Sequence, residues 1–512
     1  MPAPSYPLDH QPCIPVRTGT RHQQVGLREL FIHAHTIEDL ALPIPPAASA
    51  LLRVLVAITA RLTGLDNPDM PLAQWHQLRA HWLTKPAGFP EQSVHAYFDA
   101  HVFDLFHPTR PFLQDPALAH QCTRRAGVNA LVYGRPQGRN LVWFNHHTDH
   151  SPQPLDSDEA LWHLLLHHAY GPSGTCSTRT VDTHTSGKTT AGPLRGTLSF
   201  HPHGATLYET LLAGLFPFQG ASQDTTDACP WEREQPPDPL QPPEEITWPG
   251  AQLTGRSRHA VLLIPSPDGT HVQDAYLTWA TQQPRLYATD PYHVMHTQPQ
   301  NPAEHMRTPR KADADRATWR DLDALLLASD ETATVHRPLA FTCLNDLPEE
   351  LRSRLRVQVH GFDQEGQVRN RRWYTSLTPP IWTWAQEHDP AQATRISECT
   401  QAAEHLAAHL STAADQAWRE TTRPGTSTPP GRKRPTSRSR WQTRSLAEYW
   451  PRAQSAFHTL IHDQRPARGV FAHAAIDALH AATAAALPQY PGAGRALARA
   501  QQALATAGAA TP

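Results

Sequence analysis

Histidine offers the most chemistry in this sequence, with 33 residues and two conspicuous clusters, HHTDH at 146–150 and LLLHHAY around His167 and His168. A hydrolytic metal needs several converging ligands backed by further hydrogen-bonding partners. Neither cluster has the H-E-x-x-H spacing that brings two imidazoles onto one helix face beside a general base. Loop or surface roles are expected for both, and no metal. A nucleophile is the next possibility, since Cys176 follows GPSGT. The G-x-S-x-G turn after a buried strand is missing, so hydrolase chemistry is not expected. The six cysteines (Cys13, Cys122, Cys176, Cys229, Cys343, Cys399) form no C-x-x-C pair, which removes the zinc-ribbon reading and implies no disulfide framework. There is no Walker A pattern and no internal repeat. These residues predict no catalytic site and no cofactor. The competing reading, a metal-dependent nuclease built on the histidine-rich loops, predicts metal-dependent cleavage by the isolated chain.

Charge points to local rather than global contacts. The 45 basic residues, nearly all arginine, are balanced by 47 acidic ones to a net charge of −2, which argues against a protein that simply coats a polyanion. One stretch departs from that balance: RPGTSTPPGRKRPTSRSRWQTR, residues 423–444, has seven basic residues and no acidic one. It reads as a flexible loop, either a solvated insertion or a phosphate-contacting arm.

The elements that must position these residues follow from periodicity. At 512 residues the chain exceeds one ordinary core, and 50 prolines predict many irregular connections. Residues 11–30 read as a strand, a turn and a second strand or helix start. Pro45-Pro46 opens a helix with Leu51, Leu52, Val54, Leu55, Ile58 and Leu62 at helical spacing. Further helices are expected at 75–82, 94–105 and 161–169, the last running into a Gly/Ser/Thr loop, YGPSGTCSTRT. Strand-like HAVLLIP, AYLTWAT and RLRVQVHGF alternate with loops and one helix, ATWRDLDALLL. RLRVQVHGF and QVRNRRWYT suit a hairpin whose turn is 363–366. After Pro379-Pro380 four alanine-rich amphipathic segments read as an antiparallel bundle. The expected fold is α+β: a large, mixed, loop-rich α/β domain over 1–380, then a C-terminal four-helix bundle over 381–512. The N-terminus has neither a basic start nor an apolar core, and no run approaches 18 uninterrupted apolar residues. A cytoplasmic protein without a membrane partner is expected.

An ordered series of segments carries a family resemblance. PCIPVRTGTRHQQVGLRELF opens the chain, with Cys13 where the family usually has Trp, and ALLRVLVAITARL follows. FDLFHPTRPFLQDPAL supplies Phe103, Asp104, Leu105, Phe106, Pro111, Phe112, Gln114 and Pro116. NLVWFNHH, ALWHLLLHHAYGPSGT, AGPLRGTLSFHPHGATLYETLLAGL, TWRDLDALLL and GFDQEGQVRNRRWYTSLTPP complete the order across nearly the whole chain. Together they resemble the CasA family, the large subunit of the Type I-E CRISPR Cascade surveillance complex. The resemblance implies a non-catalytic subunit that binds nucleic acid. Its partners would be the other Cascade subunits, a CRISPR guide RNA, double-stranded target DNA and a helicase–nuclease effector. Such a subunit reads a protospacer-adjacent motif, helps strand separation and R-loop formation, and serves antiviral defence.

Residue by residue, the family's glycine loop falls on Tyr170, Gly171, Pro172, Ser173 and Gly174. Backbone without a Cβ can approach a groove floor and read the degenerate minor-groove pattern. An ordinary helix stop is the plain alternative. The family's wedge, an amide that unstacks the first base pair, falls on Gln364, with Gln367 as the one-register alternative. The loop at 128–146 corresponds to the segment near the guide's 5′ end, with Arg139, Asn140, Phe144 and His146 as candidates. Arg285 is the candidate for the family's minor-groove lysine, because no Lys lies between Lys188 and Lys311. A purely structural role remains the third reading, predicting no effect of Gln364→Ala or Gly174→Asp on DNA affinity.

Overall fold

The computed structural model of the chain describes residues 3–85, 87–136, 146–220, 223, 225–242, 245–283, 289–297, 307–328, 334–365, 369–422 and 438–509. They fall into two compact units, one of 1–316 with 329–383, the other of 317–328 with 384–512. The architecture is mixed helix and sheet with small sheets and a C-terminal helical bundle. The helical segment at 317–328, which the sequence places in the first domain, belongs to the second unit.

The first unit is organised on helix Pro45–Thr63. Proline occupies its first turn, and Gly64, at φ 70°, supplies the left-handed residue that ends it. By length and composition this helix could cross a membrane, yet 89% of its apolar window is buried in the protein. A helix apolar all round is one that packs on every side. Its single buried charge, Arg53, donates to Asp290 at 2.8 Å and to Ser199 Oγ at 3.0 Å. Burial alone would raise the Asp290 carboxyl, but Arg53, His293 and Arg256 outweigh it and hold the group well below the carboxylate range.

Small antiparallel sheets complete this unit. The one that matters most runs Arg369–Leu377, Arg356–Glu365, Leu198–His203 in spatial order, with Val359 opposite both Ser376 and Phe200. A second runs Leu155–Asp156, His271–Trp279, His259–Pro265. Gly174–Val181 pairs with His184–Thr189 as a separate ribbon.

Three local expectations are corrected. The helix expected to reach residue 105 spans Glu91–Ala100, because the chain turns so that the Phe103 ring packs, tilted, against Phe98 at 4.7 Å and Phe112 at 5.4 Å. The stretch read as a Gly/Ser/Thr loop is a strand from Gly174: Ser177, Arg179 and Val181 alternate inward, and buried Arg179 donates to Asp115 at 2.7 Å and to the Trp279 carbonyl at 3.0 Å. The hairpin turn is not 363–366. A bulge at Asp363/Gln364 lets pairing continue through Gln364↔Asn370 to Glu365↔Arg369.

In the second unit, helices Pro390–Thr422, Arg440–Leu460, Ala467–Thr483 and Ala493–Ala509 bury an alanine-rich seam that includes Ala403, Ala414, Ala475 and Ala500. Small residues let the backbones approach closely, and Tyr449 Oη donates to the Ala403 carbonyl at 2.9 Å. Arg320 clamps Glu404 through two bonds of 2.8 and 3.0 Å and lies 3.3 Å from the centre of the Trp450 ring. The basic segment is shorter than its composition suggests. Ser439 and Gln442 form a capping box, so residues 440–444 are the first turns of a helix. Residues 423–437 lie outside the described residues.

Candidate nucleic-acid interface

Helix Ser157–Tyr170 delivers the glycine loop. Asp158 and Glu159 stand in its first turn, where the helix dipole favours acid, and His167 and His168 in its last. The two histidines are scaffolding. His167 Nε2 donates to the Leu131 carbonyl at 2.9 Å and His168 Nε2 to the Leu113 carbonyl at 2.7 Å, while His168 Nδ1 lies 2.7 Å from Ser257 Oγ. Burial pushes both imidazoles down to about 4, so they stay neutral. Cys176 is half-buried, and burial raises its thiol, the opposite of nucleophile activation. Among the described residues no group of three or more His, Cys, Asp or Glu could hold a metal ion.

The five loop residues divide into two roles. Tyr170 is fully buried, its ring edge-on to Phe362 at 5.2 Å, so its side chain does not reach the surface. Gly171 is buried too, and its backbone, at φ −53°, is one that any residue adopts. Space is what demands glycine there: a Cβ would lie 2.5 Å from His259 Cε1 and 2.6 Å from the His167 carbonyl oxygen. His259 is pressed down to about 3, chiefly by burial, and donates its Nε2 proton to the Pro172 carbonyl at 3.0 Å. Pro172, Ser173 and Gly174 lie half-buried beyond this anchor. Gly174 has φ 131° and nothing within 4 Å of a would-be Cβ, so here conformation, not crowding, requires glycine.

The segment at 191–197, which sequence reading treated only as the lead into a strand, joins this loop to the hairpin. Gly192 N donates to the Gly171 carbonyl at 2.9 Å, Leu194 N to the Ala169 carbonyl at 2.9 Å, and Arg195 Nη1 to the Tyr170 carbonyl at 2.8 Å. At its far end Gly196 N donates to Gln364 Oε1 at 2.7 Å, and Gln364 Nε2 donates to Asn370 Oδ1 at 2.6 Å. Phe362, two residues earlier on the same strand, stacks on Tyr133 at 5.6 Å. The glycine loop and Gln364 are thereby neighbours within one unit. Gln364 is an anchored strand residue, with one hydrogen bond at each end of its amide.

Two lysines were missed. The chain has four lysines among its 45 basic residues, so a lysine is itself a signal. Exposed Lys188 pairs with Thr175, the register position beside Gly174↔Thr189. Exposed Lys311 bridges Thr197, and the next residue, Ala312, donates its N–H to the Gly196 carbonyl at 3.0 Å. One lysine flanks the glycine loop and the other flanks the Gln364 anchor. Of the remaining candidates, His146 is exposed, and Arg139, Asn140, Phe144, Arg285 and Gln367 lie outside the described residues.

The family model for CRISPR-associated protein Cse1 matches residues 8–489. A CasA/Cse1 protein of Thermus thermophilus is 28% identical over 423 residues, which cover 79% of this chain and 78% of that protein. A chain in a solved CRISPR RNA-guided surveillance complex superposes with a TM-score of 0.86 at 36% identity, over 98% of this chain and 99% of its own length. The Cse1 structure from Thermobifida fusca shares the fold, with a TM-score of 0.75 at 20% identity over 99% and 98% of the two chains. The chain belongs to the CRISPR-associated Cse1 family.

Proposed function

We propose that this chain is the subunit of an RNA-guided CRISPR surveillance complex that inspects double-stranded DNA for a protospacer-adjacent motif. It acts in the cytoplasm, in antiviral defence, without a catalytic site of its own. It helps to separate the strands and form the R-loop, and it helps to recruit the helicase–nuclease once the guide has paired. Its partners are the other subunits of the complex, the guide RNA and the target duplex. Support comes from the resemblance to a chain of a CRISPR RNA-guided surveillance complex along almost its full length. The observation that carries the reading is the join made by residues 191–197, which ties the glycine loop to the Gln364 end of the hairpin.

Within this reading, the backbone of Pro172, Ser173 and Gly174 meets the shallow groove, where few donors and acceptors differ between base pairs and a relaxed motif preference follows. Tyr170 and Gly171 hold the loop from inside. Gln367 is the wedge and Gln364 its anchor, because the Gln364 amide is committed to Gly196 and Asn370. Arg139, Asn140, Phe144 and His146 serve the guide's 5′ end or the motif-proximal strand, and Arg285 takes the place of the family's minor-groove lysine. Lys188 and Lys311 neutralise phosphates on either side.

Competition binding tests the proposal. The assembled complex is offered duplexes differing only in the trinucleotide beside the target, at fixed salt, with wild-type chain, Gly174→Asp or Gln367→Ala. Wild type discriminates between trinucleotides, Gly174→Asp loses that discrimination, and Gln367→Ala binds the motif but opens the duplex poorly. Equal affinity of the wild-type complex for every trinucleotide would end the reading.

A further inference from the structure

One aromatic side chain outside the motif-reading surface meets both of the elements that carry that surface. Tyr133, half-buried, follows a single helical turn, Val128–Leu131, and precedes Gly134, whose φ of 97° is left-handed. The turn is pinned to helix Ser157–Tyr170, because His167 Nε2 donates to the Leu131 carbonyl at 2.9 Å. Tyr133 adds two bonds to that helix: its N–H donates to His163 Nδ1 and its hydroxyl to the Leu166 carbonyl, both at 3.3 Å. His163 is an acceptor because burial, with Arg135 adding to it, presses its pKa down to about 4 and keeps the ring neutral. The Tyr133 ring lies parallel to His163 within 8° at 6.2 Å and to Phe362 within 21° at 5.6 Å. Phe362 is buried on strand Arg356–Glu365, and Tyr170 meets it edge-on at 5.2 Å.

We propose that Tyr133 is a positioning residue for motif reading: its ring fixes the spacing between the glycine-loop end of helix Ser157–Tyr170 and the Gln364 end of the hairpin. This role rests on the motif-reading function proposed above. Phe362 stands two residues before Gln364, and Tyr170 stands one residue before Gly171, so the rings sit at the root of both motif-facing ends. The segment 191–197 joins the two elements through hydrogen bonds, and the aromatic stack joins them through side chains. A planar ring stacked on another fixes orientation as well as distance, which an aliphatic side chain of similar volume does not.

The consequence falls on discrimination and not on binding in general. A duplex that engages the loop and the hairpin together gains when their spacing is set in advance, because ordering them at the moment of binding costs affinity. A duplex held by phosphate contacts alone has no such dependence.

The test uses the assembled complex at fixed salt and two duplexes, one with the trinucleotide that the wild-type complex prefers and one with a trinucleotide that it disfavours. Tyr133→Leu lowers the ratio of the two affinities about tenfold, the worth of the aromatic contacts it removes, and leaves affinity for the disfavoured duplex within about twofold. Tyr133→Phe, which keeps the ring and loses only the bond to the Leu166 carbonyl, retains the wild-type ratio. Phe362→Leu lowers the ratio as Tyr133→Leu does, and the double variant Tyr133→Leu/Phe362→Leu is no worse than the poorer single one, as for two residues of one contact. A wild-type ratio in Tyr133→Leu overturns the proposal. So do an equal loss for both duplexes, which marks a general folding defect, a Tyr133→Phe variant as poor as Tyr133→Leu, and additive losses in the double variant. Should Tyr133→Leu fail to assemble, Phe362→Leu decides by the same two affinities. A wild-type complex with equal affinity for every trinucleotide removes the underlying function and this role with it, whereas a discriminating wild type beside an equally discriminating Tyr133→Leu removes this role alone.

Discussion

Replacing Lys188 and Lys311 together with alanine probes the interface with little risk to the fold, since both side chains are exposed. Lys188 sits one register position from the Gly174 pair, and Lys311 bridges the residue that follows the Gly196 anchor. Under the proposed function each neutralises one phosphate of a duplex lying across the loop. Counterion release makes log K fall with log salt at a slope of about −0.9 per phosphate contact. Removing two contacts makes the slope shallower by about 1.8. Over a fourfold rise in salt, from about 50 to 200 mM, the wild-type complex then loses roughly twelvefold more affinity than the double variant. The measurement is equilibrium binding of the assembled complex to a motif-bearing duplex across that range. Discrimination between trinucleotides stays intact, because phosphate contacts weaken all sequences alike. Parallel slopes for the two proteins, within about 0.3, would refute the placement of both lysines.

Gly171→Ala drives a methyl into the His259 ring and the His167 carbonyl, with a cost of about 2–3 kcal/mol in urea unfolding. Gly174→Ala meets open space and costs only the strain of its φ 131° backbone, about 1–2 kcal/mol; equal stability of Gly171→Ala and wild type would contradict the packing role. Gln364→Ala leaves the Gly196 N–H without its partner and lowers stability by about 1–2 kcal/mol, whereas Gln367→Ala leaves stability unchanged and reduces fluorescence from a 2-aminopurine beside the motif. The reverse pattern would return the wedge role to Gln364. His163 and His167 are held near 4 and His259 near 3, chiefly by burial, against about 6.5 in an unfolded chain. Below pH 6.5 the unfolded state therefore binds more protons than the native one. The stability from these neutral histidines is complete above about pH 7 and is lost as pH falls from 6.5 towards 4, about 1.4 kcal/mol each by pH 5.5. A urea midpoint at pH 5.5 equal to that at pH 7.5 would refute it.

Periodicity and punctuation determined much of this protein directly. The Pro-opened core helix, the four bundle helices and the strands His259–Pro265 and Arg356–Glu365 are all legible, because one-sided burial imposes a repeat of 3.6 or 2 residues on the sequence. The ordered motifs were likewise sufficient to indicate the family. Tertiary structure alone decided which residues are free to act. Gly171 and Gly174 are the same letter three residues apart, yet one is crowded by a histidine from position 259 and the other is defined by its backbone angle. On paper Gln364 is the preferred wedge and Gln367 its one-register alternative, and only the fold shows the bulge and the amide of Gly196, 168 positions away, that anchor Gln364. The join made by residues 191–197 and the two flanking lysines were invisible for the same reason. Local patterns record which face of an element is buried, whereas contacts between distant segments depend on how the whole chain closes, and no local window contains that.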